Sequence, residues 1–143
     1  MTTRKARARW DGGIKEGKGT VDFGSGAFTG AYSFTSRFED GAGTSPEEML
    51  AAAHASCFAM ALSLILDKAG FKPDYVDATA NVTIMQQGGG FKITRSNLVC
   101  EAKVPDIDQA AFVQHAESAR ANCPVSQALA GTEITLDATL LGR

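Results

Sequence analysis

The chain has 143 residues, 44% hydrophobic and 21% charged, which is the size of one domain, since single cores span about 100–150 residues, and the wrong composition for a disordered chain. With 14 basic and 16 acidic residues the formal charge is −2, so no global positive field draws in nucleic acid or an anionic membrane. The 3 cysteines are a poor disulfide scaffold and fit a reducing compartment, the cytoplasm.

The basic stretch Arg4 to Arg9 is followed by Asp11-Gly12-Gly13 rather than the apolar core of a signal peptide. It reads as a strand, with Lys5, Arg7 and Arg9 on a wet face and Ala6, Ala8 and Trp10 on a packed one. A glycine-punctuated stretch carrying Thr20-Val21-Asp22-Phe23 follows. Residues 31–38 alternate again, with Tyr32, Phe34 and Phe38 on one face and Arg37 on the other, and predict a further strand. Asp40 to Gly43 is a turn-rich loop.

Then the period changes. Ser45-Pro46-Glu47-Glu48 predicts a helix start, with Ser45 as N-cap, Pro46 at the first position and Glu48 closing a capping box. This leaves Glu47 free for another partner. The helix runs to about Lys68 or Ala69, where Gly70 ends it. Met49 to Leu66 nears the length of a membrane span, but alanines, His54, Ser56 and Ser63 interrupt it. A helix apolar all round is buried on all sides, here as a central helix covered by a partner subunit.

Residues 75–85 form an alternating strand with Val76, Ala78, Ala80, Val82 and Ile84 inward. Gly88-Gly89-Gly90 turns the chain. Residues 91–104 form a long strand whose inward phase moves from Phe91 and Ile93 to Leu98, Cys100, Ala102 and Val104, which predicts a bulge near 95–97. A second helix starts near Asp106 or Asp108, with Phe112, Ala116 and Ala119 at helical spacing. A last strand over 133–141 turns Ile134, Leu136, Ala138 and Leu140 inward. The fold class is α+β with mostly antiparallel pairing.

Two cysteines carry the candidate chemistry. Cys57 lies mid-helix, where a free cysteine often only fills space. Cys123 precedes Pro124 and a short helical pattern, which makes it an N-cap, where backbone N–H groups and the helix dipole favour a thiolate. Cys100 is on the inward phase of a strand and reads as core. Phe112, Ala116, Ala119 and Cys123 form one apolar line, so two buried faces carrying one thiol each can meet, although spacing alone does not bring Cys57 to Cys123. His54, Cys57, His115 and Cys123 are ligand types, but only His54 and Cys57 form a close pair, and zinc sites usually show two. No metal is assigned. His54 reads as a satisfied core histidine or a contributor to the field at Cys57, and His115 as helix surface.

The segments Arg37-Phe38-Glu39-Asp40-Gly41, residues 44–58 (Thr44-Ser45-Pro46-Glu47-Glu48 through His54-Ala55-Ser56-Cys57-Phe58) and Asn122-Cys123-Pro124-Val125-Ser126, with Trp10-Asp11-Gly12 near the start, resemble the OsmC family of osmotically inducible proteins. The likeness spans essentially residues 1–143, as one domain. The arginine just ahead of the helix resembles that branch more than the organic hydroperoxide resistance branch.

The resemblance implies an intertwined homodimer, with two long central helices wrapped by sheet and active sites at the subunit interface. It implies a cysteine-based peroxidase acting on organic hydroperoxides, and more weakly on hydrogen peroxide, in oxidative and osmotic stress defence. Carried over by position, Cys57 is the peroxidatic cysteine, Cys123 the resolving one, and Arg37 and Glu47 the charged partners. No bound cofactor is implied; an external dithiol, of lipoyl type, restores the thiols. Phe58, Met60 and Phe38 are expected to give the site an apolar lining. Glu47 and Cys57 are ten residues apart, about 15 Å along a continuous helix, so Glu47 is expected to act in the partner's site. The competing classes are a redox-sensing or small-ligand-binding dimer without efficient turnover, and a structural dimer with inert thiols.

Overall fold

The structure is a computed structural model that describes residues 1–142. The chain divides into two compact units, Met1–Met49 and Leu50–Arg143.

In the first unit, β1 (Ala6–Asp11), β2 (Lys18–Phe23) and β3 (Thr29–Tyr32) form an antiparallel sheet in that order. The rings of Trp10 and Tyr32 meet with centroids 5.5 Å apart. They cross over Gly19, where a Cβ would clash with both rings. The predicted packed face of β1 is only partly formed: Trp10 is half-buried, whereas Ala6 and Ala8 are exposed.

The strand predicted over residues 31–38 is a correction. The strand stops at Tyr32, and α1 (Phe34–Phe38) follows. Ser33 and Ser36 build a reciprocal capping box that starts the helix. The Phe34 and Phe38 rings meet at a tilt of 51°, with centroids 5.2 Å apart. Residues four apart share a face in both a strand and a helix, so the aromatic spacing did not separate the two. The following loop is drawn back to the sheet by Thr44 N–H donating to the Ala31 carbonyl at 2.8 Å. Gly43 permits this: its φ is +118°, and a Cβ there would press on the same carbonyl oxygen.

Helix α2 (Pro46–Lys68) starts in the first unit and runs through the second. Ser45 Oγ accepts the Glu48 N–H at 3.1 Å, as an N-cap should. The Glu48 carboxylate instead accepts from Thr44 Oγ1 at 2.6 Å, so the predicted capping box is only half made.

In the second unit, β4 (Tyr75–Gln87), β5 (Gly90–Lys103) and β6 (Glu133–Gly142) form a sheet with β5 central. β4 and β5 are antiparallel; β5 and β6 are parallel. The parallel pair requires a crossover, which α3 (Gln109–Asn122) and α4 (Pro124–Ala128) supply. Pairing steps from Thr83–Arg95 to Ile84–Ile93, which leaves Thr94 unpaired. That bulge falls just ahead of the predicted 95–97 and causes the expected change of phase. Phe91 lies beyond it and is exposed, not inward.

The core of this unit joins Phe58, Leu62 and Leu66 of α2 to Leu98, Cys100 and Ala102 of β5 and Phe112, Ala116 and Ala119 of α3. Each large apolar side chain so buried contributes about 1.5–3 kcal/mol. Helix α2 is not buried on all sides within one chain. His54, Phe58, Leu62 and Leu66 form its inward stripe, while Ala53, Ser56, Met60 and Leu64 are exposed. Met60 is 77% exposed.

Candidate active site

Cys57 is one residue off the inward stripe of α2 and is half-buried. With Ala61 and Ile65 it forms a second stripe at the edge of the core, which brings its thiol to the junction of α3 and α4. Cys123 closes α3, its N–H donating to the Ala119 carbonyl, and caps α4, its Sγ accepting the Ser126 N–H at 3.3 Å. Pro124 takes the first position of α4, as the sequence predicted.

The two thiols meet. The Cys123 side chain and the Val125 backbone N–H are the near neighbours that act on the Cys57 thiol. Cys57 and Cys123 are both free cysteines, as is Cys100. They line one end of a cavity of about 440 Å³ whose walls include Met60, Leu64, Ile65 and Pro124, with Asn122 as its polar side chain. Met60 lines it as expected; Phe58 does not, because it belongs to the inward stripe and is fully buried in the core.

Burial pushes the Cys57 thiol up. The Val125 N–H pulls it down, and the neighbouring Cys123 thiol pushes it up again. A thiol reacts as its thiolate, so Cys57 needs a cation that desolvation alone does not provide. Burial, with the carboxylates of Asp77 and Glu101, pushes Cys100 up to about 11. Cys100 is fully buried between paired strands, as the core reading expected.

His54 is fully buried, with both ring nitrogens occupied: Nδ1 meets Ser96 Oγ at 2.6 Å and Nε2 meets Ser126 Oγ at 2.8 Å. Burial lowers its proton affinity. Ser126 also accepts from Cys123 Sγ at 3.1 Å. Neither serine was singled out in the sequence. Ser96 carried a signal, a polar residue on the inward phase of β5, and Ser126 sits at the N3 position of the Cys123 cap.

The charged residues form a second constellation within the first unit. Arg37 donates from Nε to Glu47 Oε1 at 3.1 Å and from Nη2 to Oε2 at 3.0 Å. This two-point geometry suits a guanidinium and a carboxylate. The Glu47 side chain is 7% exposed and that of Arg37 35%. The guanidinium also lies 5.1 Å from the Phe38 ring centre, so the strand reading, which turned Arg37 away from the aromatic face, is corrected. Nη1 makes no hydrogen bond among the described residues. Among the described residues no three His, Cys, Asp or Glu side chains gather as a metal site.

Residues 39–138 match the family described as OsmC-like protein. The Peroxiredoxin OsmC of Escherichia coli strain K12 is 50% identical over 135 residues, 94% of each chain. The organic hydroperoxide resistance protein of Xanthomonas axonopodis pv. citri is 34% identical over 101 residues, 70% of this chain and 67% of its own. The solved structure of the organic hydroperoxide resistance protein OhrB of Bacillus subtilis matches with a TM-score of 0.77 at 26% identity, over 96% of this chain and 98% of its own.

Proposed function

The chain belongs to the OsmC family, and on that premise we propose that it is a cysteine-based peroxidase that reduces organic hydroperoxides, with Cys57 as the peroxidatic and Cys123 as the resolving residue. The observation that carries this reading is the adjacency of the Cys57 and Cys123 thiols in the wall of one apolar cavity. In this reading one thiol attacks a peroxide and the other attacks the product. The named relatives, a peroxiredoxin and an organic hydroperoxide resistance protein, support the same chemistry.

The Cys57 thiolate attacks one peroxide oxygen, the O–O bond breaks, and the other oxygen leaves as an alkoxide that is protonated to the alcohol. Cys57 is then a sulfenic acid. Cys123 attacks the Cys57 sulfur, the S–O bond breaks, water leaves and a disulfide remains. An external dithiol, of lipoyl type, restores both thiols by exchange. The apolar wall of Met60, Leu64 and Ile65 favours the alkyl part of an organic hydroperoxide over hydrogen peroxide.

Arg37 supplies the cation. Its charge is permanent and its fork is able to hold thiolate and peroxide oxygen together. Glu47 takes the Nε and Nη2 side and leaves Nη1 for the reacting atoms. Glu47 and Cys57 lie ten residues apart on the unbroken helix α2, about 15 Å at the usual rise. Arg37 and Glu47 therefore act on the partner's thiol in a homodimer, which uses residues 1–143 as one functional domain. The open stripe of Met60 and Leu64 is the face such a dimer buries.

Turnover tests the reading. With an organic hydroperoxide and a lipoyl-type dithiol, wild type is expected to cycle and Cys57→Ser to be inactive. A single oxidation without turnover would instead mark a redox sensor.

A further inference from the structure

A chain of four buried side chains ends on Cys123. Ser96 Oγ lies 2.6 Å from His54 Nδ1, His54 Nε2 lies 2.8 Å from Ser126 Oγ, and Ser126 Oγ lies 3.1 Å from Cys123 Sγ. The four come from β5, α2, α4 and the α3–α4 junction. One polarity satisfies every link: Cys123 S–H donates to Ser126 Oγ, Ser126 O–H donates to Nε2, and Nδ1–H donates to Ser96 Oγ.

Burial disfavours the protonated ring of His54, and its two nitrogens meet only the Ser96 and Ser126 hydroxyls among the described residues. In the polarity above Nδ1 carries the ring proton and Nε2 is the acceptor. Cys123 is only 1% exposed, and the acceptor its thiol meets is the Ser126 hydroxyl. A histidine that only filled space would be better replaced by an apolar residue. Here its acceptor nitrogen is joined by one hydroxyl to a thiol that must deprotonate.

We propose that His54, acting through the Ser126 hydroxyl, is the positioning residue that receives the Cys123 proton when Cys123 attacks oxidised Cys57. This rests on the reading of Cys123 as the resolving cysteine. Ser126 Oγ takes the proton from Cys123 Sγ as its own proton passes to His54 Nε2. The electron pair freed on the Cys123 sulfur forms the S–S bond, and the S–O bond of the sulfenic acid breaks with its electrons on oxygen. The hydroxide takes up one proton from solvent and His54 later releases one to solvent, so no net proton is gained or lost. Cys57–SOH and Cys123–SH thus become a disulfide and water. The Ser126 N–H on the same sulfur, at 3.3 Å, steadies the developing thiolate. During reduction the relay runs backwards and returns a proton to Cys123.

The test is a rapid-quench oxidation with one equivalent of cumene hydroperoxide, followed by intact mass, on wild type, His54→Gln, Ser126→Ala and Ser126→Thr. Glutamine keeps a hydrogen-bonding head but accepts no proton; threonine keeps the hydroxyl. We expect Cys57 to oxidise at the wild-type rate in all four. Disulfide closure should slow about 10²-fold or more in His54→Gln and Ser126→Ala, with Ser126→Thr close to wild type. Wild-type closure in His54→Gln overturns the inference. If that variant does not fold, wild-type closure in Ser126→Ala overturns it equally. A wild-type protein that neither gains an oxygen nor loses two hydrogens removes the peroxidatic reading and this inference with it. Normal oxidation with unaltered closure in the variants removes this inference alone.

Discussion

Arg37 and Glu47 are joined by two parallel hydrogen bonds of 3.1 and 3.0 Å, and it is the carboxylate, not the guanidinium, that is sealed from water. The asymmetry predicts unequal costs. Arg37→Met strands a buried carboxylate and should cost about 1–3 kcal/mol of stability. Glu47→Gln leaves an arginine that water already reaches and should cost less than about 1 kcal/mol. Thermal melts of the two variants check the order.

The activities should rank in the same direction for a different reason. Removing the cation should lower kcat/KM about 10²- to 10³-fold, the usual effect of losing a group aimed at developing charge. Freeing Arg37 from Glu47 only misplaces it, and should cost about tenfold, near 1.4 kcal/mol of transition-state stabilisation. Steady-state assays with one hydroperoxide measure both.

The helix rise between Glu47 and Cys57 makes the origin of the cation testable by mixing subunits. Alone, Arg37→Met is expected to keep only about 10⁻² to 10⁻³ of the activity, and Cys57→Ser none. Exchanged into heterodimers, they should regain activity, because one site then pairs an intact Cys57 with an intact Arg37 from the other chain. No recovery after verified exchange would place Arg37 and Cys57 of one chain in the same site.

Cys100 and His54 each make stability depend on pH, at opposite ends of the scale. The folded Cys100 thiol is raised from 9.0 to about 11, so its contribution is complete below about pH 9 and is lost as pH rises toward 11. A Cys100→Val variant should lose less stability over that window than wild type. His54 is lowered below 6.5 by burial. Its contribution is complete above pH 6.5 and is lost as pH falls below it, because the unfolded chain takes up the proton first. His54→Gln should flatten the acid side. Urea midpoints across pH report both slopes.

Much of this was legible in the chain. The Ser45-Pro46 start, the Cys123-Pro124 cap and the inward phases of β4 and β6 follow from local rules of spacing and capping, and all appear. The bulge was visible as a change of phase and misplaced by about a residue, since either side of the slip accommodates the same pattern. The segment after Tyr32 failed because Phe34 and Phe38 fit both periods, and the reciprocal serine cap decided for helix. The meeting of Cys57 with Cys123, and the line from Ser96 to Cys123 through His54, are long-range contacts between elements far apart in sequence. Residue spacing carries no information on such contacts until the sheet and α3 place them.

The most direct test of the central claim is the intact mass of wild type and Cys123→Ser after one equivalent of an organic hydroperoxide. Wild type should lose two hydrogens, as the Cys57–Cys123 disulfide closes, and the variant should gain one oxygen, held on Cys57. Unchanged masses in both proteins, or an added oxygen that maps away from Cys57, would contradict the account.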